Sequence, residues 1–349
     1  MKAKALHFGK AMSAALFVLL LSVAGTKNAL AQTQLATLQH GDTLTAYYGG
    51  NAFVSAYTAA EEGDIITLSS GTFTGCTIDK SITVRGAGAV PDTLAGTACT
   101  ILSGNFTMGN TDYIDHTLHL EGIYFNGTVA FWQMADPTFT RCNFMRIFVN
   151  EYGRQILNPE FVNCVIKNLD SRAPLNCPVF VNCVVWAASN ICGNNTTVYN
   201  CHWGGISNGY INVTAYNSII YKVSGQALPN NTCQFYNCIG IMANETGNPF
   251  GTAYTEDCVY YNTEGGVDPY ASVYTTYRFD TPFDFEETYD LLPEIAGGFP
   301  TSDGTEVGIH GGQMPYTARP SYQMLRTINA AQQSDTQGKL NVEIEVINQ

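Results

Sequence analysis

Basic side chains are scarce in this chain. Sixteen Lys and Arg stand against 29 Asp and Glu in 349 residues. Four of the sixteen fall in the first 31 residues, which hold no acidic residue, so the remainder carries 12 against 29, a net charge of about −17. Such an acidic surface argues against nucleic acid as a partner, because phosphate binding draws on clustered Lys and Arg. Long apolar runs are also missing after residue 31. None reaches the roughly 18 residues that a spanning helix needs, so no transmembrane segment is expected there. Long stretches of 3.6-residue periodicity are absent, which excludes helical repeats, and the leucine spacing of leucine-rich repeats is absent too.

The first 31 residues have the pattern of a signal peptide. Lys2, Lys4 and Lys10 precede the apolar run from Ala14 to Val23, and Ala29-Leu30-Ala31 fits a small-x-small cleavage site. No Cys follows that site, so no lipid anchor is indicated. An exported protein with 11 Cys would ordinarily suggest disulfides. Here most of the Cys recur at one position of a repeat, which favours reduced, internal thiols, since Cys is a small hydrophobe often buried free.

The repeat reads FTRCNF at 139, FVNCVI at 161, FVNCVV at 180, VYNCHW at 198, AYNSII at 215 and FYNCIG at 235, with a weaker TEDCVY at 255. Its column is Cys142, Cys164, Cys183, Cys201, Ser218, Cys238 and Cys258, in steps of 22, 19, 18, 17, 20 and 20 residues. A period of this size marks a solenoid. Strict alternation would place Phe180 and Asn182 on one face and Cys183 on the other, which either buries the Asn or exposes the Cys. Making Asn182 a one-residue corner removes the conflict. Phe180 and Cys183 then both point inward, and Asn is the non-Gly residue best suited to a left-handed turn. The result is an expected ladder of Asn163, Asn182, Asn200, Asn217 and Asn237, interrupted at its ends by Arg141 and Asp257.

Several segments resemble the right-handed parallel β-helix proteins of the pectin-lyase-like class, especially exported members from gut Bacteroides-type bacteria. Asn51-Ala-Phe-Val-Ser-Ala-Tyr-Thr-Ala-Ala60 is similar to their short capping helix, with Phe53, Ala56 and Tyr57 facing in. Gly63-Asp-Ile-Ile-Thr-Leu-Ser-Ser-Gly-Thr-Phe73 is similar to a first coil. Ile82-Thr-Val-Arg-Gly-Ala-Gly88 and Leu118-His-Leu-Glu-Gly-Ile-Tyr-Phe125 resemble following rungs. Asp303-Gly-Thr-Glu-Val-Gly-Ile-His-Gly-Gly312 resembles a closing segment. The expected fold is all-β, a single-stranded right-handed parallel β-helix with an N-terminal helical cap and an irregular C-terminal closure. Residues 1–31 form the signal peptide, 32–300 the β-helix domain and 301–349 the closing segment. Leu340 to Ile347 alternates well and reads as a final strand. The resemblance places the protein in the periplasm, at the cell surface or outside a Gram-negative bacterium.

It also implies where chemistry would sit. A lyase of this class would use Ca²⁺, clustered Asp and an Arg or Lys base on an outer face, the metal polarising a uronate carboxylate. Only Tyr113-Ile-Asp-His116 is similar to the Trp-Ile-Asp-His string of such lyases. The Asp-Asp and Gly-His-Gly elements of the hydrolases do not occur, and paired carboxylates would be needed for glycoside hydrolysis. No cofactor is expected, and Ca²⁺ enters only under the lyase alternative. No metal site is expected either, since Cys201 and His202 should project from opposite sides of a strand.

Two surface candidates remain. Arg146, Arg154, Lys167, Arg172 and Asp170 form a patch suited to an anion or an acidic glycan, or else a set of salt bridges between coils. Tyr199, Tyr216 and Tyr236 share the outward position before the Asn corner and should form an aromatic ladder, which stabilises strands by cross-pairing and can also meet sugar rings. His202 is expected outward and Trp203 inward. The expected function is non-catalytic glycan binding. A divergent polysaccharide lyase or hydrolase and a structural envelope protein are the alternatives.

Overall fold

The computed structural model describes residues 34–91, 98–109, 117–149, 155–171, 175–189, 195–204, 212–223, 227–243, 247–262, 304–317, 324–330 and 342–347. The signal-peptide pattern, Tyr113 to His116, Arg154, Arg172 and the stretch 266–300 lie outside these residues.

Short strands stack in parallel as a β-solenoid. Ten of the twelve strands in the first sheet, from Ile65–Leu68 to Tyr254–Glu256, are paired in parallel, each with the strand one coil away. A second sheet runs beside it, from Gly71–Thr74 to Val259–Asn262. A third, of Met134–Ala135, Ile156–Leu157 and Leu175–Asn176, closes three of the coils. Inward side chains fill the interior in columns. Phe139 stacks on Phe161, and Phe161 on Phe180, each pair with ring centroids 4.9 Å apart. That is the distance between hydrogen-bonded strands, so one residue per coil forms a continuous buried stack.

The one-residue corner is present. Asn163, Asn182, Asn200, Asn217 and Asn237 all have φ between 49° and 53°. The expected interruption by Arg141 and Asp257 does not occur in the backbone, where both are left-handed, at 52° and 51°. The coil geometry imposes this conformation even on Arg, at a cost of about 1–2 kcal/mol. The Arg141 guanidinium pairs with Glu121 of the preceding coil at 3.4 Å.

A second left-handed column precedes the first sheet and was not foreseen from the repeat. It comprises Asp136, Asn158, Cys177, Asn195 and Asn212, with φ of 47–60°. Each stands three residues before an inward residue, Phe139, Phe161, Phe180, Val198 or Ala215. Pro137, Pro159 and Pro178 follow the first three. The varied residue types hid the column. Its signal is the constant offset of three and the recurring Pro.

Every described Cys is free. The column thiols take part in the architecture by hydrogen bonding. The Cys142 N–H donates to Cys164 Sγ at 3.4 Å, Cys164 N–H to Cys183 Sγ at 3.3 Å, and Cys183 N–H to Cys201 Sγ at 3.3 Å. The thiols donate to carbonyls in turn, Cys183 to Phe161 at 3.2 Å and Cys201 to Phe180 at 3.5 Å. After a left-handed corner the next N–H points into the apolar interior, where an unpaired donor costs about 1–3 kcal/mol. A small side chain that both accepts and donates resolves this. Ser218 does the same for Cys201, accepting its N–H at 3.0 Å, so the one departure from Cys preserves the chemistry.

Helix α1, Ala52–Ala59, buries Ala52, Phe53, Ala56 and Tyr57 in the same core as the coils. Lys80 Nζ donates to the carbonyls of Tyr57 at 2.8 Å and Ala60 at 2.7 Å, satisfying groups that a helix C-terminus leaves open. Before the helix, Leu35–His40 lies antiparallel between Ile65–Leu68 and Thr43–Tyr48. This hairpin was not anticipated. Near the C-terminus, Val342–Ile347 is a strand and pairs antiparallel with Met324–Ala330.

Residues 304–317 lie along the flank of the coils as a strap. Asn182 Nδ2 donates to the carbonyls of Ile309 and Gly311, both at 2.8 Å, and the Gly308 N–H donates to the Asn217 carbonyl at 2.9 Å. Val307 and Ile309 are buried. Gly308, at φ 102°, sits so close that a Cβ would stand 2.6 Å from Ile219 Cδ1. A Cβ on Gly311 would fall 1.8 Å from the Glu306 carbonyl oxygen. The strap therefore needs glycine at these positions to follow the corner. The Asn column divides accordingly. Asn182 turns to the strap, whereas Asn237 Nδ2 donates to Asn217 Oδ1 at 2.8 Å as a true ladder rung.

One expectation is corrected here. His202 was expected outward and is fully buried. Its side chain does alternate away from the coil interior, in register with Val184 and Ile219. That outward column, continued by Val165 and Ile239, is itself out of water, with the strap packed over it at Ile219. Burial lowers the His202 pKa from 6.5 to about 4, so the ring is neutral. Alternation predicts which side of a strand a residue faces, not whether another segment covers that side.

Candidate functional site

The outward face of the first sheet carries the expected tyrosines. Strands Thr196–Tyr199, Val213–Tyr216 and Gln234–Tyr236 pair so that Tyr199, Tyr216 and Tyr236 stand in register. Tyr199 and Tyr216 have ring centroids 5.2 Å apart and Tyr216 and Tyr236 5.1 Å, with 12° between planes in both. The rings stack on one another, so Tyr216 has both faces covered and presents its edge and hydroxyl. Desolvation raises the Tyr216 phenol pKa, and the phenols of Tyr199 and Tyr236 reinforce the shift.

Tyr254 extends this surface and was missed. It sits in register with Gln234 rather than Tyr236, so the repeat phase hid it. Its ring centroid lies 5.9 Å from that of Tyr236 at 54°, and the residue is 54% exposed. The tilt turns a ring face toward solvent. Tyr254 donates its hydroxyl to Glu256 at 3.0 Å, and Tyr236 donates to Gln234 at 2.9 Å. The described strands here bear no Lys or Arg, and Thr197, Thr214 and Gln234 line the neighbouring column. At the other end, Val181 and Val162 continue the tyrosine column without rings.

Of the basic patch, the described residues are Arg146, Lys167 and Asp170. Arg146 forms an ion pair with Asp170 of the next coil, and its guanidinium lies 5.3 Å from the Phe148 ring centroid. Lys167 is half-buried. Arg154 and Arg172 are outside the described residues. Among the described residues, no group of three His, Cys, Asp or Glu is arranged to hold a metal ion, and no helix is long and apolar enough to cross a membrane.

Of the remaining aromatics, Trp203 is buried in the core, where it meets Phe180 edge-on at 4.9 Å. Trp186, His202 and Tyr221 form a group beside the coil interior, with centroids 6.4–6.5 Å apart. The fold and its repeating side chains define the chain as a parallel β-solenoid. No protein-family model, no curated protein and no solved structure matches it.

Proposed function

We propose that this protein is an exported right-handed β-helix of the pectin-lyase-like type that binds glycan chains without cleaving them, along the tyrosine face of its first sheet. The carrying observation is the stack of Tyr199, Tyr216 and Tyr236 at 5.1–5.2 Å, extended by the tilted Tyr254. It presents a row of phenols along the axis of the coils. That repeat is comparable with the length of one sugar ring in an extended polysaccharide. A chain laid along it meets a hydroxyl on each coil, the amide of Gln234, the carboxylate of Glu256 and the open ring face of Tyr254. The four strands that carry these tyrosines bear no basic side chain, which favours neutral over acidic glycans. Export is supported by Lys2, Lys4, Lys10 and the apolar run that follows them. The absence of the Asp-Asp and Gly-His-Gly elements supports binding over hydrolysis, and the engagement of Arg146 by Asp170 weakens its candidacy as a free base.

Calorimetric titration against a panel of soluble neutral and acidic polysaccharides tests the reading. The expected result is binding to a neutral chain that weakens at least tenfold in the Tyr216→Ser, Tyr236→Ser, Tyr254→Ser triple variant, with the circular dichroism spectrum retained. No binding to any polysaccharide at millimolar sugar, or binding indifferent to the three substitutions, overturns it.

A further inference from the structure

The first sheet ends on Thr43–Tyr48. One edge of this strand pairs with Leu35–His40, and no described strand pairs with the other. The register is unbroken, from His40 opposite Thr43 to Leu35 opposite Tyr48. The Gly49 N–H donates to the Gln34 carbonyl at 2.8 Å, which fixes the phase of the ladder. Bonded and non-bonded residues alternate in an antiparallel pair. Thr43, Thr45 and Tyr47 therefore direct their backbone groups toward Leu35–His40. Leu44, Ala46 and Tyr48 direct theirs outward.

Edge strands normally carry a device against pairing, such as Lys, Pro or a bulge. The sequence TLTAYY has none of these. Leu44 is 67% and Tyr48 70% exposed, more than any other large apolar side chain among the described residues. Both project from the same face as Ala46, because alternate residues of a strand share a face. The opposite face carries Tyr47, which packs against the core.

We infer that Thr43–Tyr48 is a dimerisation edge that pairs antiparallel with the same strand of a second copy of this chain. A two-fold axis through the outward-bonding Ala46 sets that residue against its counterpart. It brings Leu44 of each copy opposite Tyr48 of the other, and each facing pair exchanges both backbone hydrogen bonds. Small residues then meet at the axis, and an aliphatic–aromatic cross-strand pair flanks it on either side, the kind of pair that stabilises sheets. Reversal of the strand reproduces its own pattern, which is what an isologous contact requires. Charge permits this contact where it opposes others. The chain carries −13 overall, so two copies repel over most of their surfaces, and this uncharged strand gives contact without opposing carboxylates. The axis is perpendicular to the sheet, so the two first sheets continue into one and both tyrosine faces look the same way.

A contact built on one strand is small for a specific interface, so the dimer is concentration-dependent. Sedimentation equilibrium of the purified protein over a wide concentration range tests it, alongside Ala46→Pro and Leu44→Lys. Proline at 46 removes an outward N–H and spares the bonds to Leu35–His40. Lysine at 44 sets a cation on an exposed position, so that variant folds even if the proline variant does not. The wild type is expected to reach twice the monomer mass, and each folded variant to raise the dissociation constant at least tenfold. The Leu44, Ala46 and Tyr48 amides should exchange more slowly as concentration rises. A wild type that stays monomeric, or dimerisation unaffected by Leu44→Lys, overturns the inference. So does equal protection of these amides in the dilute monomer, which would mean that the chain covers its own edge.

Discussion

The backbone N–H of Cys183 donates to Cys201 Sγ at 3.3 Å, from one coil to the next. The thiol thus stands where a strand neighbour's carbonyl would otherwise be. This explains why the column tolerates Ser218 and why valine, the better strand former, does not occupy these positions.

Replacement of Cys201 should separate its polar role from its size. Cys201→Ser should cost less than about 1.5 kcal/mol, because the hydroxyl can accept the Cys183 N–H and donate to the Phe180 carbonyl. Cys201→Ala should cost about 2–4 kcal/mol, since it leaves that N–H unpaired beside a small void. Urea unfolding of both variants measures the difference. Equal losses would mean that volume alone selects Cys here.

Asn182 holds both a corner and the strap. Asn182→Gly keeps the left-handed turn, which glycine adopts freely, but loses the two donations to Ile309 and Gly311. Asn182→Ala loses both and adds about 1 kcal/mol of backbone strain. Limited proteolysis should cleave within 304–317 faster in both variants. Global stability should fall further in the alanine variant. A strap as resistant as wild type in Asn182→Gly would show that Val307 and Ile309 suffice to hold it.

His202 makes stability depend on pH with a definite sign. Its folded pKa, about 4, lies below the 6.5 of the unfolded chain. The neutral ring is therefore favoured by folding, and its contribution is fully present above pH 6.5. As pH falls through this window the unfolded chain takes up a proton and the folded chain does not. Stability then drops by as much as roughly 3 kcal/mol by pH 4. Chemical unfolding at pH 7, 5.5 and 4 should show this slope, and His202→Leu should flatten it. An unchanged slope in that variant would assign the acid sensitivity to other groups.

Much of the coil was legible in the sequence for a local reason. The apolar–x–Asn–Cys–x–apolar unit can put its Phe and Cys on one side only if Asn is a left-handed corner, and that constraint lies within six residues. The same reasoning located the register of Tyr199, Tyr216 and Tyr236. The second corner was harder to read. Asp136, Asn158 and Cys177 share a backbone conformation but no side-chain type, so only their offset from the inward Phe marks them. Tyr254 escaped because it belongs to the neighbouring column, and a phase read from the repeat does not find it.

The sequence by itself determined the parallel stacking, the Asn corners, the internal Cys column and the tyrosine ladder, because each follows from alternation repeated at a near-constant period. Only the tertiary structure decided what covers the coils. The strap over Asn182 and Ile219, the burial of His202, the pairing of Arg146 with Asp170 and the open edge at Leu44 and Tyr48 join residues remote in the chain or depend on which segment lies against which face. A periodic pattern encodes direction along a strand. Burial is settled by packing between segments, where the free energy of removing apolar surface from water does not depend on sequence distance.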